Sequence, residues 1–241
     1  MDVKPRNVKA HLAYSLRRLG LDSIDLYQPA RMDTTIPVED VVGAIAEQVE
    51  AGYVRHIGLS MVDADTLRRA CAVHPIHTVE MEYSLVERDI EDELIPTAQE
   101  LGVKVLAFGT VGHGLLRDDV FTASRNPAMA KGMLAGEYRE HNLAMIRKVK
   151  TIADEKGVSL SQLALAWSLA KYDNIQSLVG TTNPAHLRES IDALRIRLSA
   201  DDIARIETAL DASKIKGKGS RNFIFTDGKC HWLDRRAVLP L

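Results

Sequence analysis

Cysteine is almost absent: the 241 residues hold only Cys71 and Cys230. Neither lies in a CxxC pattern, so neither a disulfide framework nor a zinc site is indicated, and a reducing cytosol is the simplest compartment. An excess of either charge is missing too. Lysine and arginine total 31 against 33 acids, a net charge of -2, which argues against a nucleic-acid surface. No apolar run approaches the roughly 18 residues that a membrane span needs. The opening residues MDVKPRNVKA are polar and charged and carry no apolar signal core, so a cytoplasmic protein is expected. No GxGxxG follows an apolar segment, which weakens a doubly wound dinucleotide fold. The 8 histidines form neither HxH nor HExxH spacing, and no metal site is read from them.

What is present is an alternation. Short apolar segments at Ile24–Tyr27, Val54–Leu59, Thr78–Tyr83, Val103–Phe108 and Gln176–Gly180 read as strands, each following a turn signal. Helical patterns occupy Val8–Arg18, Val38–Glu50, Ala64–Ala72, Ile90–Leu101, Leu143–Glu155 and Ser161–Lys171. Two more, Pro184–Leu194 and Ala200–Ala212, follow the last strand. Gly20, Gly52, Gly102 and Gly157 each close a helical stretch, where a left-handed backbone is required. Ser159-Leu160-Ser161-Gln162 is a capping-box pattern, and Asn183-Pro184 places an N-cap before proline at the first helical position. Repetition of helix, glycine, strand and loop demands parallel strands, because a parallel neighbour is reached only through a crossover.

The interval between the fourth and fifth strands is long and holds a polar stretch around Arg117–Asn142. Such a loop is either a functional element or a surface insertion. The expected organisation is one domain over residues 1–212 and a tail over 213–241. Five strand–helix units are too few to close an eight-stranded barrel. The expected fold is α/β, about five parallel strand–helix units plus C-terminal helices, with a doubly wound sheet as the competing arrangement. Its outer strands would have unpaired edges, which invites self-association.

Four segments carry a family likeness. SLRRLGLDSIDLYQPARMD (Ser15–Asp33), AGYVRHIGLS (Ala51–Ser60), the stretch from His74 to Gly109, and VGTTNPAHLRES (Val179–Ser190) resemble successive parts of the aldo-keto reductase superfamily, in its order and near its spacing. The resemblance implies an incomplete (β/α)8 TIM barrel, of about five parallel units plus C-terminal helices, with NADP(H) across the carboxy-terminal ends of the strands, NAD(H) being the other possible cofactor. It also implies that the segment bearing the family's catalytic aspartate, tyrosine and lysine is not among these residues, which start at the helix before the fourth unit.

Position by position, the likeness assigns Ser60 to the nicotinamide carboxamide, with Met61 where the family has asparagine. Glu80 stands where many members have glutamine, and can only accept hydrogen bonds when ionised. Alternation puts Glu80 and Glu82 on one face. Phe108, followed by Gly109, replaces the tyrosine that stacks on the nicotinamide. Gly180, Thr181 and Thr182 lead into a helix start suited to phosphate. His186 stands where an arginine meets the 2′-phosphate, and Glu189 and Ser190 where Glu-Asn meets adenine. The family histidine is replaced by Ala30, so no catalytic residue is assigned. Arg31 and Asp33 read as an ion pair or loop anchor.

Two readings follow. One is an NAD(P)H-dependent reductase of aldehydes or ketones by descent, with a small carbonyl substrate. The alternative is a catalytically inactive remnant that binds a nucleotide or a protein partner.

Overall fold

The structure, a computed structural model, describes residues 3–33, 35–122, 132–217, 223–226 and 229–232. Five strands follow in order: β1 (Ile24–Tyr27), β2 (Val54–Ser60), β3 (Ile76–Glu82), β4 (Lys104–Phe108) and β5 (Ile175–Ser177). They form one sheet in sequence order, with β1 and β2 and then β2 and β3 paired parallel. The helix–glycine–strand repetition requires such parallel units, and five of them in sequence order are consistent with the expected incomplete (β/α)8 arrangement. A separate two-stranded sheet, β6 (Phe223–Thr226) with β7 (Lys229–Trp232), was not foreseen. Of the expected tail, residues 213–217 are also described, and residues 218–222, 227–228 and 233–241 lie outside the described residues.

The helices begin and end where local chemistry allows. α1 (Pro5–Leu19) starts on proline, which has no N–H to waste, and closes on Gly20 at φ 67°. α2 (Val38–Glu50) buries Val41, Val42 and Ile45 on one stripe. α3 (Ala64–Val73) is capped by Asp63, which accepts from the Thr66 amide at 2.8 Å. α4 (Leu94–Glu100) starts four residues later than Ile90. The reason is Pro96: a start at Ile90 would place it where an i→i−4 bond is needed, whereas here it sits in the first turn. α5 (Gly136–Glu155) begins seven residues before Leu143, consuming part of the expected loop. The polar run Glu137–Asn142 hid that start from an apolar-periodicity reading. Short 3₁₀ turns occupy Asp118–Phe121 and Gly132–Leu134, and residues 123–131 of the loop lie outside the described residues. α6 (Leu160–Lys171) carries the complete Ser159/Gln162 capping box. α7 (Pro184–Asp192) continues as a 3₁₀ turn, and α8 (Ala200–Ala209) stops three residues short of Ala212.

Two compact units form. The first comprises Met1–Met81, Ile90–Leu106 and Phe225–Cys230; the second comprises Glu82–Asp89, Ala107–Ile224 and His231–Leu241. In the first unit, helices α1 to α3 pack in succession and α2 also meets β2, around Ile45, Ile57, Leu59, Leu67 and Val79, all fully buried. In the second, α6 is buried on most of its circumference through Leu163, Ala164, Leu165, Ala166 and Trp167.

Trp167 stacks on Tyr83 at 5.4 Å between centroids, and its indole N–H donates to Glu207 Oε1 at 3.2 Å. Lys171 at 2.5 Å and Arg88 at 3.4 Å complete the surroundings of that carboxylate. Burial pushes its pKa up, but the two cations and the indole outweigh burial and hold it below the usual value.

A second polar centre ties sequence-distant loops together. Asn142, fully buried, donates to Met133 O at 2.7 Å and Lys216 O at 2.8 Å, and accepts from the Lys216 amide at 3.0 Å. Asn142→Ala is expected to cost about 2–4 kcal/mol, three hydrogen bonds' worth with buried partners left unmet. Urea denaturation measures this, and hydrogen exchange at the Lys216 amide should accelerate. A loss under about 0.5 kcal/mol, within the scatter for ordinary surface changes, would contradict this role.

Asp202 gives an acid-side prediction. Its carboxyl is lowered to about 2 by the Lys156 ammonium and by the capping-box bond from the Ser199 amide. A folded-state pKa below the unfolded value, about 3.9, makes this group's contribution complete above about pH 4. It is lost as pH falls toward 2. The melting temperature of Asp202→Asn should fall less steeply between those values than that of the parent. Parallel acid limbs would contradict the assignment.

Candidate functional site

In the first unit, a polar chain crosses the ends of three strands. Thr78 Oγ1 donates to Gln28 Oε1 at 3.2 Å, and Gln28 Nε2 donates to Glu80 Oε2. Glu80 is thus held by an amide rather than by a cation. Gly58 makes the chain possible. A Cβ there would lie 2.5 Å from Gln28 Oε1 and 2.6 Å from Thr78 Oγ1. The β2–β3 register shifts at the same point, between Ile57 and Gly58, as expected where a glycine admits a close approach within a strand.

Ser60 ends β2, buried, and is paired in register with Glu80. It does not cap the next helix, since Asp63 does. Met61 follows it at φ 56°, a left-handed conformation costly for an unbranched apolar residue and easier for asparagine. Its side chain is buried and its amide donates to Glu80 O at 2.9 Å. Packing and that bond hold the strained backbone. Ala30 lies exposed in the bend after β1. Asp33 anchors the same loop by accepting from the Thr35 amide at 2.9 Å and hydroxyl at 2.6 Å, which lower its pKa.

In the second unit, Glu82 and His113 form a pair that sequence reading missed. Glu82 Oε1 lies 2.6 Å from His113 Nε2, with the Glu82 side chain 3% exposed and the imidazole 44% exposed. Glu82 Oε2 is buried without a hydrogen-bond partner among the described residues. His113 sits at φ 51° between Gly112 and Gly114, and Gly109 at φ 69° leaves room beside the pair. Strand alternation marked Glu82. The GHG turn just past a strand end was the signal for His113. Phe108 ends β4 half-buried, and its carbonyl accepts from the Tyr83 amide at 3.1 Å.

A cavity of about 260 Å³ opens beside the start of α7. Gly180, Thr181, His186, Glu189 and Ser190 line it, whereas Thr182 does not. Asn183 caps α7 by accepting from the Ala185 amide at 2.9 Å, and Thr181 Oγ1 accepts from the Asn183 amide at 3.1 Å. Glu189 Oε1 accepts from Ser159 Oγ, and Glu189 O accepts from Gln162 Nε2 at 3.1 Å. The start of α6 is thereby bonded to the body of α7. Ser190 Oγ donates to His186 O at 2.8 Å.

Arg117, Asp118 and Asp119, at the start of the long polar stretch read as a functional element or a surface insertion, also line the cavity, although none of them was singled out as a site residue. Arg117 Nε and Nη2 donate to the two Asp119 oxygens, both at 3.0 Å. That bidentate pairing is the main cause of the guanidinium's raised pKa, which burial opposes. Asp118 accepts from the Leu160 amide at 3.4 Å and faces Lys150 at 3.5 Å.

The first-unit chain is testable. Gly58→Ala should cost about 1–3 kcal/mol, the range for overpacking, because the methyl displaces Gln28 from Glu80. In a Gln28→Ala background the penalty should shrink. Strictly additive costs in that double-mutant cycle would contradict the close approach.

Comparison with known proteins comes to the same architecture. Residues 1–211 match the aldo/keto reductase family. The glycerol dehydrogenase AKR11B4 from Gluconobacter oxydans superposes with a TM-score of 0.80 at 23% identity, over 93% of this chain and 69% of that one. At that identity the likeness shows the fold. The thermostable aldo-keto reductase Tm1743, in complex with the inhibitor epalrestat, gives a TM-score of 0.69 at 26% identity. It covers 86% of this chain and 67% of its own.

Proposed function

The chain belongs to the aldo/keto reductase family, and on that premise we propose that its second unit holds the adenosine end of a nicotinamide adenine dinucleotide, NAD(H) or NADP(H). Its role by descent is then the reduction of aldehydes or ketones. The observation that carries the reading is the cavity at the Gly180–Thr181 loop, of about 260 Å³, beside the capped start of α7. The cavity is near the lower end of small-molecule sites, and suits one nucleoside rather than a whole dinucleotide.

The bound dinucleotide would supply a hydride to a carbonyl carbon. The protein's own residues hold it. Gly180 and Thr181 bring backbone amides to the mouth of a helix N-terminus, which favours phosphate oxygens. Val111 and Val179 give apolar wall to a base. Phe108 has a half-exposed ring at the end of β4 on which a flat ring can stack.

Ser60 and Glu80 belong to the first unit, and there Glu80 is already engaged by Gln28. Ala30 supports a second reading, nucleotide binding without turnover, since a methyl neither donates a proton nor orients a carbonyl. A positioned acid typically contributes about 10²- to 10⁴-fold. Background-level oxidation of the reduced cofactor with a panel of aldehydes would favour that second reading. Robust turnover would exclude it.

The binding proposal has its own test. Gly180 lines the cavity, and a Cβ on it meets nothing within 4 Å. Gly180→Leu can therefore fill the site without strain in the backbone. Calorimetric titration should show affinity for NADH and NADPH reduced at least about tenfold, a loss of about 1.4 kcal/mol, with an unchanged melting temperature. Undiminished affinity would move the nucleotide elsewhere, and absence of binding by the parent chain would end the proposal.

A further inference from the structure

We infer that this cavity selects an adenosine with a free 2′,3′-diol over one carrying a 2′-phosphate, so that the dinucleotide it takes is NAD(H). The inference rests on the reading of the cavity as an adenosine site and adds what that site discriminates.

Charge on the cavity wall disfavours a second phosphate. Three carboxylates line the cavity, Asp118, Asp119 and Glu189, against one guanidinium, Arg117. Leaving His186 aside, that is 1 − 3, a net charge of −2 among the lining residues, of which the Lys150 ammonium, 3.5 Å from Asp118 behind the wall, offsets one. Each carboxylate within about 6 Å of a phosphate dianion disfavours it by roughly tenfold at water-like dielectric, before screening. The start of α7 and Arg117 offset part of this. Yet Arg117 already spends two donors of its fork on Asp119, at 3.0 Å each, and a guanidinium so engaged is a poor clamp for a second anion.

Hydrogen-bond polarity agrees with charge. Carboxylates accept and cannot donate, and a phosphate dianion offers only acceptors, so the two are mismatched. A ribose diol presents two hydroxyl donors, which carboxylates suit. A neutral hydroxyl donor is not available from Ser190 either, because its Oγ donates to His186 O at 2.8 Å. His186 is on the wall, but an imidazole lacks the planar fork that grips a phosphate bidentately.

Asp119 is the residue on which the selection turns. It contributes a negative charge and also occupies the guanidinium. Among the described residues its carboxylate is bonded by Arg117 alone, unlike that of Asp118, which accepts from the Leu160 amide at 3.4 Å. Asp119→Asn removes the charge and frees part of the Arg117 fork in one step.

The experiment is calorimetric titration of the full chain with 5′-AMP and with adenosine 2′,5′-bisphosphate, at low and at moderate salt. The expected result is 5′-AMP binding at least about fivefold more tightly, with the gap narrowing as salt rises. Asp119→Asn should narrow or invert the ratio. Asp201→Asn, an exposed first-turn residue of α8 away from the cavity, should leave it unchanged. Equal or tighter binding of the bisphosphate by the parent chain overturns the selection while leaving the adenosine reading intact. A ratio unmoved by Asp119→Asn removes Asp119 from the argument and overturns the mechanism. If neither ligand binds and NADH and NADPH also fail, the adenosine reading and this inference fall together.

Discussion

Parallel pairing is the constraint from which the remaining structure follows. A strand can gain a parallel neighbour only after a crossover, so β1 to β4 are each followed by a chain segment that leaves the sheet, folds as a helix and returns. Loops at strand ends are thereby separated into two sets. Those that follow the strands lead into helix starts and carry caps: Asp63 before α3 and Asn183 before α7. Those that precede the strands follow helix ends and carry glycine, as at Gly20, Gly52 and Gly102, all at positive φ. The polarity of the repeat thus gathers unpaired amides on one set of loops. This is why parallel α/β folds offer anion sites there rather than at the opposite ends.

Within the second unit this has a specific consequence. The starts of α6 and α7 are joined through Glu189, which takes a hydroxyl bond from the N-cap of one helix while standing on the other. Gln162, the capping-box partner, adds a bond to the Glu189 carbonyl. The cavity wall therefore consists of side chains whose positions are set by helix initiation. Its shape is locked by the same groups that nucleate the helices, so the site is preorganised at little further entropic cost. The drawback is chemical. Glu189 and Ser190 are partly consumed by these structural bonds, and what remains facing the cavity is acidic.

The fold was legible in the sequence because parallel α/β units announce themselves twice, by apolar period and by glycine punctuation. Four of the five strands were placed to within two residues at either end. β5 was read late because Leu178 and Val179 look like strand residues. Both are exposed, and only the Leu178 amide keeps a sheet bond, to Ala107 O at 2.8 Å. The helix ends that moved did so for reasons invisible to periodicity: a proline at 96, a polar first two turns in α5. The site was half legible. Family likeness marked the Gly180–Ser190 side of the cavity, but not Arg117, Asp118 and Asp119, which lie some sixty residues away in sequence and reach it only through tertiary folding. It marked Glu80, but not the amide of Gln28 that engages it.

Backbone strain shows where packing overrides local preference. Among the described residues, Met61 and His113 are the non-glycine residues at positive φ. Both fall in loops that follow strands, Met61 directly after β2 and His113 five residues after β4. A left-handed non-glycine residue costs roughly 1–2 kcal/mol, and each needs something to hold it. Met61 is buried and its amide bonds to Glu80 O. His113 lies 2.6 Å from a nearly inaccessible carboxylate. Neither strain reverses the chain by itself, since glycine is available for that and stands on either side of His113. What the strained positions do is fix side chains: a thioether against the core after β2, an imidazole against Glu82 after β4. Strain of this kind persists only where the surroundings over-determine it. Here the over-determination comes from polar groups at the ends of the strands, the same ends on which parallel connectivity concentrates the helix starts.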